Sequence, residues 1–500
     1  MMRGYPSQAA TRTAPAMRSS ITAHGEDTPG FSKPPNLRLT KKHTRYAVTA
    51  LIVMTGSWIS FGRFQQMQNA DSIVPVLVSL QHWKPFYWET NRFGMLVPLL
   101  AIPFKNPLAN LIFQSTLSTC AGVACSFLLV AYFFEGSIFW LTAAALQNIW
   151  LFLLVPRPTQ FDWCVDQCYG VSFALAFAAL ILVDKKKTSL GLALMVLCHW
   201  VNSAAFIVLV PLVLQRHLID KQKRRLFTSL GVVLAGAACG FVLMFTARYK
   251  TTQSGLLSPD LWIPGWLGLL RAAEGAVLRK PILALWIVVP GALGVVTTLL
   301  LRSSKRVWPA CLALVNTAVL YWLFVGALAW TRANAYMPRY TYPSLLLLST
   351  AVALVTVAAL RRTSLPPELA AIAAAALMFV AAVFAFGRPS VSGIDHDLHQ
   401  RFGPMTAEIL ASHAAVITGD YWIVWPAVFD ANLVLYEQGE HRKVYGFTYR
   451  GVGTWPLWAR EQVCMDSSVR DPEARRYMDT MGRHFELKQT FGTINMYCEN

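Results

Sequence analysis

The chain has 500 residues, of which 55% are apolar and 14% charged, and a formal net charge of +18. A soluble protein of this length carries about 25% charged residues, so the composition excludes an ordinary water-soluble globule. The positive charge sits in the N-terminal tail and in short loops between apolar runs, as in cytoplasmic loops of a membrane protein; no basic helix interleaved with aromatics offers a nucleic-acid surface.

Residues 1–45 are rich in Ser, Thr, Pro, Gly and basic side chains and lack the apolar content to fold alone. They read as a solvated, basic cytoplasmic tail. Apolar runs of membrane-crossing length then recur from 46 to 386. The first span is expected at 46–62, after Lys41, Lys42 and Arg45. Residues 63–107 follow on the outer side, with the apolar pieces Ile73–Leu80 and Met95–Phe104 read as interfacial helices because they are too short to cross. Further spans are expected at 108–132, 138–155 and 169–183, the last ending at Lys185, Lys186 and Lys187.

Residues 188–215 lie between that lysine run and RHLIDKQKRR, two segments that both belong inside. A single crossing would put one of them outside. A helical hairpin broken near His199–Asn202 keeps both on one side, and irregular backbone at depth is tolerable where protein covers it. Spans at 226–247, 281–301, 307–330, 341–360 and 365–386 complete a bundle of about eleven helices. Residues 387–500 then form an outer α/β domain. Met405–His413 and Tyr421–Tyr436 read as helices, and Ala415–Thr418, Lys443–Tyr449 and Phe485–Tyr497 as strands. Five of the nine cysteines sit in apolar runs as small core residues; Cys464 and Cys498 could pair if their side is oxidising. The outer segments hold no N-x-[ST] acceptor, which leans toward a bacterial inner membrane.

On this layout the outer face collects chemistry. The first outer loop carries Asp71, His82, Lys84, Glu89 and Arg92 among aromatics; the second carries Arg157, Asp162 and Asp166; the third Lys250, Asp260, Arg271, Arg279 and Lys280; the fourth Arg332 and Arg339. Carboxylates can act as a general base or hold a divalent metal, and arginines can neutralise a phosphate. The plain alternatives stand beside these: solvated loop acids, and an arginine snorkelling at a helix end. His199 reads as a buried core histidine, IDHDLH (394–399) as a solvated run or a metal site, and Tyr421, Trp422 and Trp425 as domain core or a sugar-stacking platform.

Asp71, the run Glu89–Arg92–Phe93–Gly94, and Pro338–Arg339–Tyr340 with Pro343 resemble the GT-C class of membrane glycosyltransferases. That class combines many spans with a long first outer loop bearing a catalytic acid. The chain departs from it at Ser72, where many members carry a second acid. The resemblance implies transfer of a sugar, with inversion, from a polyprenyl-phosphate donor to a glycan, lipid or protein acceptor. Asp71 would be the general base, with Glu89 or Asp162 assisting it or binding a divalent metal. Arg92, Asp166, Arg332, Arg339 and Tyr340 would bind substrate. A polymerase or ligase of lipid-linked glycans, and a flippase or transporter of a lipid-linked saccharide, remain alternatives. Spans nearly free of charge count against an ion-coupled carrier.

Overall fold

The computed structural model describes residues 40–86, 93–219, 221–247, 255–277, 307–360, 365–390, 392–448, 462–468, 477–480, 483–491 and 494–499. The expected span 281–301, and Glu89, Arg92, Lys250, Arg279 and Lys280, lie outside these residues.

Helices α1 (Lys41–Phe61), α2 (Ala70–Leu80), α3 (Leu96–Ala101), α4 (Pro107–Phe133), α5 (Leu141–Leu154), α6 (Arg157–Phe161), α7 (Tyr169–Asp184), α8 (Thr188–Val201), α9 (Ala205–Ile219) and α10 (Lys223–Phe245) follow in order. They are succeeded by α11 (Trp262–Val277), α12 (Val307–Gly326), α13 (Ala329–Ala333), α14 (Tyr342–Leu360), α15 (Pro367–Phe386), α16 (Ser392–Ala411) and α17 (Tyr421–Glu437). Among the described residues, five helical segments are long and apolar enough to cross a bilayer: Pro107–Phe133, Lys223–Phe245, Val307–Gly326, Pro338–Ala359 and Pro367–Phe386. A sixth crossing results if Arg157–Asp166 and Tyr169–Asp184, bent by 62° at their break, are taken together. The expected span at 138–155 is a shorter apolar helix, and the expected hairpin at 188–215 is built from two such helices, α8 and α9.

The break between α8 and α9 falls at Asn202, where the chain leaves helical geometry. The backbone groups released there are satisfied inside the protein. Ser172 Oγ donates to the carbonyls of Cys198 and Asn202, and Asn202 caps itself by accepting from Ala204 N–H and donating to Gln167 O. At the far ends of these helices Arg216 pairs with Asp184 at 2.8 Å and stacks 3.6 Å over the Tyr132 ring. The segments KKK and RHLIDKQKRR therefore start from one end of the bundle, as the charge pattern requires.

The C-terminal region folds around a six-stranded mixed sheet of order β2-β1-β3-β6-β5-β4, formed by β1 (Val416–Thr418), β2 (Tyr445–Phe447), β3 (Val463–Ser468), β4 (Tyr477–Thr480), β5 (Arg483–Phe491) and β6 (Ile494–Cys498). β1 runs parallel to β2 and β3, and α17 makes the crossover from β1 to β2. The remaining pairs are antiparallel, and Cys464 stands opposite Cys498 and is joined to it by a disulfide. Strands β3 and β4 are absent from the sequence reading, and the single segment Phe485–Tyr497 is in fact the hairpin β5–β6.

Helix α2 differs in placement from its sequence reading. Ile73, Val74, Val76, Leu77 and Val78 are all fully buried, so α2 has no face left for lipid. It packs against α17, α3 and α4, and these side chains share one core with Leu398, Ile409, Val424, Trp425, Val428 and Phe429 of the C-terminal region. Each such side chain contributes about 1.5–3 kcal/mol, which makes α2 the joint between the bundle and the sheet domain. Helix α3 does keep Leu99 and Leu100 exposed, as an interfacial helix would.

Candidate functional site

The site is built at the start of α2. Asn69 precedes the helix in extended conformation, and its Oδ1 accepts from the N–H groups of Asp71 (2.8 Å) and Ser72 (3.3 Å). Ser72 Oγ returns a contact to Asn69 N–H at 3.0 Å, closing a capping box. The cap sets Asp71 in the first helical turn, where the helix dipole favours a negative charge. Asn69 Nδ2 meanwhile donates to Asp166 Oδ2 at 2.9 Å, so one side chain both caps α2 and ties it to the turn before α7.

Asp71 is 9% exposed and receives Tyr421 O–H on Oδ1 at 2.6 Å; Gln167 Nε2 lies 3.5 Å from Oδ2. Asp166, 6% exposed, has a buried Oδ1 that receives no donor among the described residues. Asp162 stands four positions before Asp166. Both stand in the turn Asp162–Asp166, ahead of the apolar helix α7. Arg339 lies close enough to Asp162 to act on its charge, although the two make no direct ion pair.

Arg339 stands in the turn Pro338–Thr341, which packs against α6. Its guanidinium lies 5.4 Å over the Tyr340 ring, and its Nε is buried without an acceptor among the described residues. An orphaned guanidinium nitrogen beside a carboxyl cluster is suited to an anionic ligand. A narrow cleft beside the cluster is lined by Ser72, Pro75, Gly94, Gln114 and Asp166. Gly94 is required there: its N–H donates to Trp200 O at 2.8 Å, and a Cβ would come within 2.3 Å of that oxygen. The contact fastens the end of the first loop to the end of α8.

Asp71, Asp162, Asp166 and Arg339 thus share one end of the bundle. For Asp71 and Asp166 burial rules out the solvated-loop reading. Tyr340 is buried beside them, whereas Arg332 is exposed on α13. Arg157 is engaged elsewhere, donating to Ala385 O at 2.7 Å. Among the described residues no three His, Cys, Asp or Glu side chains converge as a metal site. In the run IDHDLH (394–399), His399 faces Asp430 at 3.5 Å. Tyr421 and Trp425 are core, and Trp422 is 51% exposed. Sequence reasoning missed Asn69, Gln167 and the link from Tyr421. The Asn-x-x-Ser cap at 69–72 carries a local signal; a hydroxyl 350 positions from its acceptor does not.

No family model, curated protein or solved structure matches this chain.

Proposed function

We propose that the chain transfers a sugar from a polyprenyl-phosphate-linked donor to an acceptor at the extracytoplasmic face of a cell membrane, with Asp71 as the general base. The observation that carries this reading is the carboxyl cluster of buried Asp71 and Asp166 and half-buried Asp162, with Arg339 beside it, at one end of an apolar helical bundle. Such a pairing of functions suits glycosyl transfer from a lipid phosphate. A carboxylate takes the proton from the acceptor hydroxyl as that oxygen attacks the anomeric carbon, and the electrons of the breaking C–O bond leave with the lipid phosphate. Asp71 is held for this role by its cap and by the Tyr421 hydroxyl, and helix α2 fixes the direction in which it points. Arg339 would compensate the charge of the departing phosphate. The Cys464–Cys498 disulfide supports placing the sheet domain in an oxidising compartment.

The test is to compare membrane glycans by mass spectrometry in a deletion strain, the strain complemented with the wild-type chain, and one complemented with Asp71→Asn. The expected result is a glycan lost on deletion, restored by wild type, and not restored by Asp71→Asn present at normal level in the membrane. Unchanged glycans on deletion would overturn the reading. Full restoration by Asp71→Asn would remove Asp71 from the role of base, and build-up of an intact lipid-linked saccharide on the inner leaflet would favour a flippase instead.

A further inference from the structure

At the opposite end of α7 from Asp166 lies a second feature that the proposed reaction does not use. Near their other ends α1 and α4 meet closely. Gly56 rests against Cys120, where a Cβ would come within 2.6 Å of the sulfur, and Ser60 Oγ donates to Ser115 Oγ at 3.0 Å. Beyond that contact, toward Arg45, a cavity of about 660 Å³ occupies the space between the two helices. Its walls are apolar: Val48 and Ile52 of α1, Leu117, Ala124 and Leu128 of α4, and Ile181 of α7. α4 is long and apolar enough to cross a bilayer, and a crossing there would put the cavity at bilayer depth.

The mouth is chemically different. Arg45, Glu135 and Lys185 surround it. Lys185 and Glu135 form an ion pair at 3.6 Å, whereas Arg45 makes no ion pair among the described residues. Lys41 and Lys42 precede Arg45 by about one turn, and Lys186 and Lys187 follow Lys185; among the described residues lining the cavity Glu135 is the only acid, and Asp184 beside Lys185 is turned to Arg216. The rim therefore carries net positive charge over an apolar slot of ligand size.

We infer that this cavity binds an anionic phospholipid, with an acyl chain along α1 and α4 and the phosphate between Arg45 and Lys185. An apolar slot between spanning helices with a basic collar is the arrangement that selects acidic lipids over zwitterionic ones. The polar sequence before Lys41 offers no apolar run to fill the slot instead. The inference is independent of the carboxyl cluster and of the reaction proposed for it.

The test uses the full chain purified in detergent. Lipid retention is measured by native mass spectrometry, and thermal unfolding is followed, with 1-palmitoyl-2-oleoyl phosphatidylglycerol, the matching phosphatidylcholine, or inorganic phosphate as probe. Phosphatidylglycerol should be retained at least tenfold better than phosphatidylcholine and should raise the unfolding temperature; inorganic phosphate alone should do neither. Arg45→Gln/Lys185→Gln should abolish the preference between the two lipids. Ala124→Trp, which fills the slot, should reduce retention of both. Equal retention of the two lipids by the wild-type chain would overturn the inference whatever the variants do. A stabilisation by inorganic phosphate equal to that by the lipid would overturn the acyl-chain part of it. A preference unchanged in the Arg45/Lys185 variant would place the headgroup elsewhere.

Discussion

Tyr421 donates its hydroxyl to Asp71 Oδ1 at 2.6 Å, across 350 positions of sequence. The first residue of α17 thereby becomes part of the carboxyl cluster at the start of α2. A short hydrogen bond to a carboxylate fixes its orientation. Tyr421→Phe keeps the ring in its 2%-exposed place and removes only the donor. It should cost about 1–3 kcal/mol of stability and lower the rate of sugar transfer, because Asp71 loses the hydroxyl that orients it. Thermal unfolding and the transfer rate measure the two effects. An unchanged transfer rate would separate Tyr421 from the chemistry and leave it a purely structural link.

Asn69 serves two partners at once, capping α2 and donating to Asp166. Asn69→Ala should cost more than the cap loss of about 0.5–2 kcal/mol, since Asp166 Oδ2 also loses its donor. Asn69→Asp keeps the cap but points a carboxylate at Asp166. It should remain folded and lose activity more than stability. Unfolding temperature and transfer rate, measured side by side, distinguish the two variants.

The Arg216–Asp184 pair is largely withdrawn from solvent, with side chains 11% and 5% exposed. Breaking such a pair from one side leaves a buried charge and costs about 3–5 kcal/mol. Arg216→Met alone and Asp184→Leu alone should each reduce the yield of folded protein in detergent. The double substitution should recover much of it, because two apolar side chains leave no orphaned charge. A double variant as poor as the worse single one would mean that the cation–π contact with Tyr132 matters more than the ion pair.

Asp430 lies on α17 with its side chain 1% exposed, and Thr406 Oγ1 donates to it at 2.6 Å. Burial raises its carboxyl above the ordinary value, the charge on Asp395 adds to this, and Thr406 and His399 pull it back. The folded state thus holds a proton that the unfolded state releases. Its contribution to stability is complete below the unfolded value near 3.8 and is lost as pH rises through the higher folded value. Asp430→Asn, which cannot ionise, should flatten this part of the stability–pH curve and be relatively more stable near neutrality. Unfolding temperatures between pH 4 and 7 provide the check, and parallel curves for the two proteins would show that Asp430 does not carry the dependence.

Much of the architecture is legible locally. Apolar runs mark the helices of the bundle, and the dense lysine and arginine segments predicted a break near His199–Asn202; it falls at Asn202, where Ser172 and Asn202 itself satisfy the released backbone groups. In the C-terminal region β1, α17 and β2 stand where alternation and apolar content placed them. Strands β3 and β4 were not legible, because their pairing partners rather than their own residues make them strands. Val463–Ser468 contains Asp466, Ser467 and Ser468, and Tyr477–Thr480 contains Asp479, weak strand formers stabilised by the ladders on β6 and β5.

By itself the sequence determined that the chain carries recurrent apolar helices of a kind that suits a membrane, and that acids and arginines gather in the segments between them. These follow from hydropathy and charge, which act residue by residue. Tertiary structure alone decided that Asp71 and Asp166 are buried rather than solvated, that Asn69 and Tyr421 complete their surroundings, and that α2 joins the core of a domain more than 300 positions away. The physical reason is that a carboxyl's proton affinity and a helix's burial depend on which surfaces meet in space, and the partner surfaces here lie on segments with no local trace of one another.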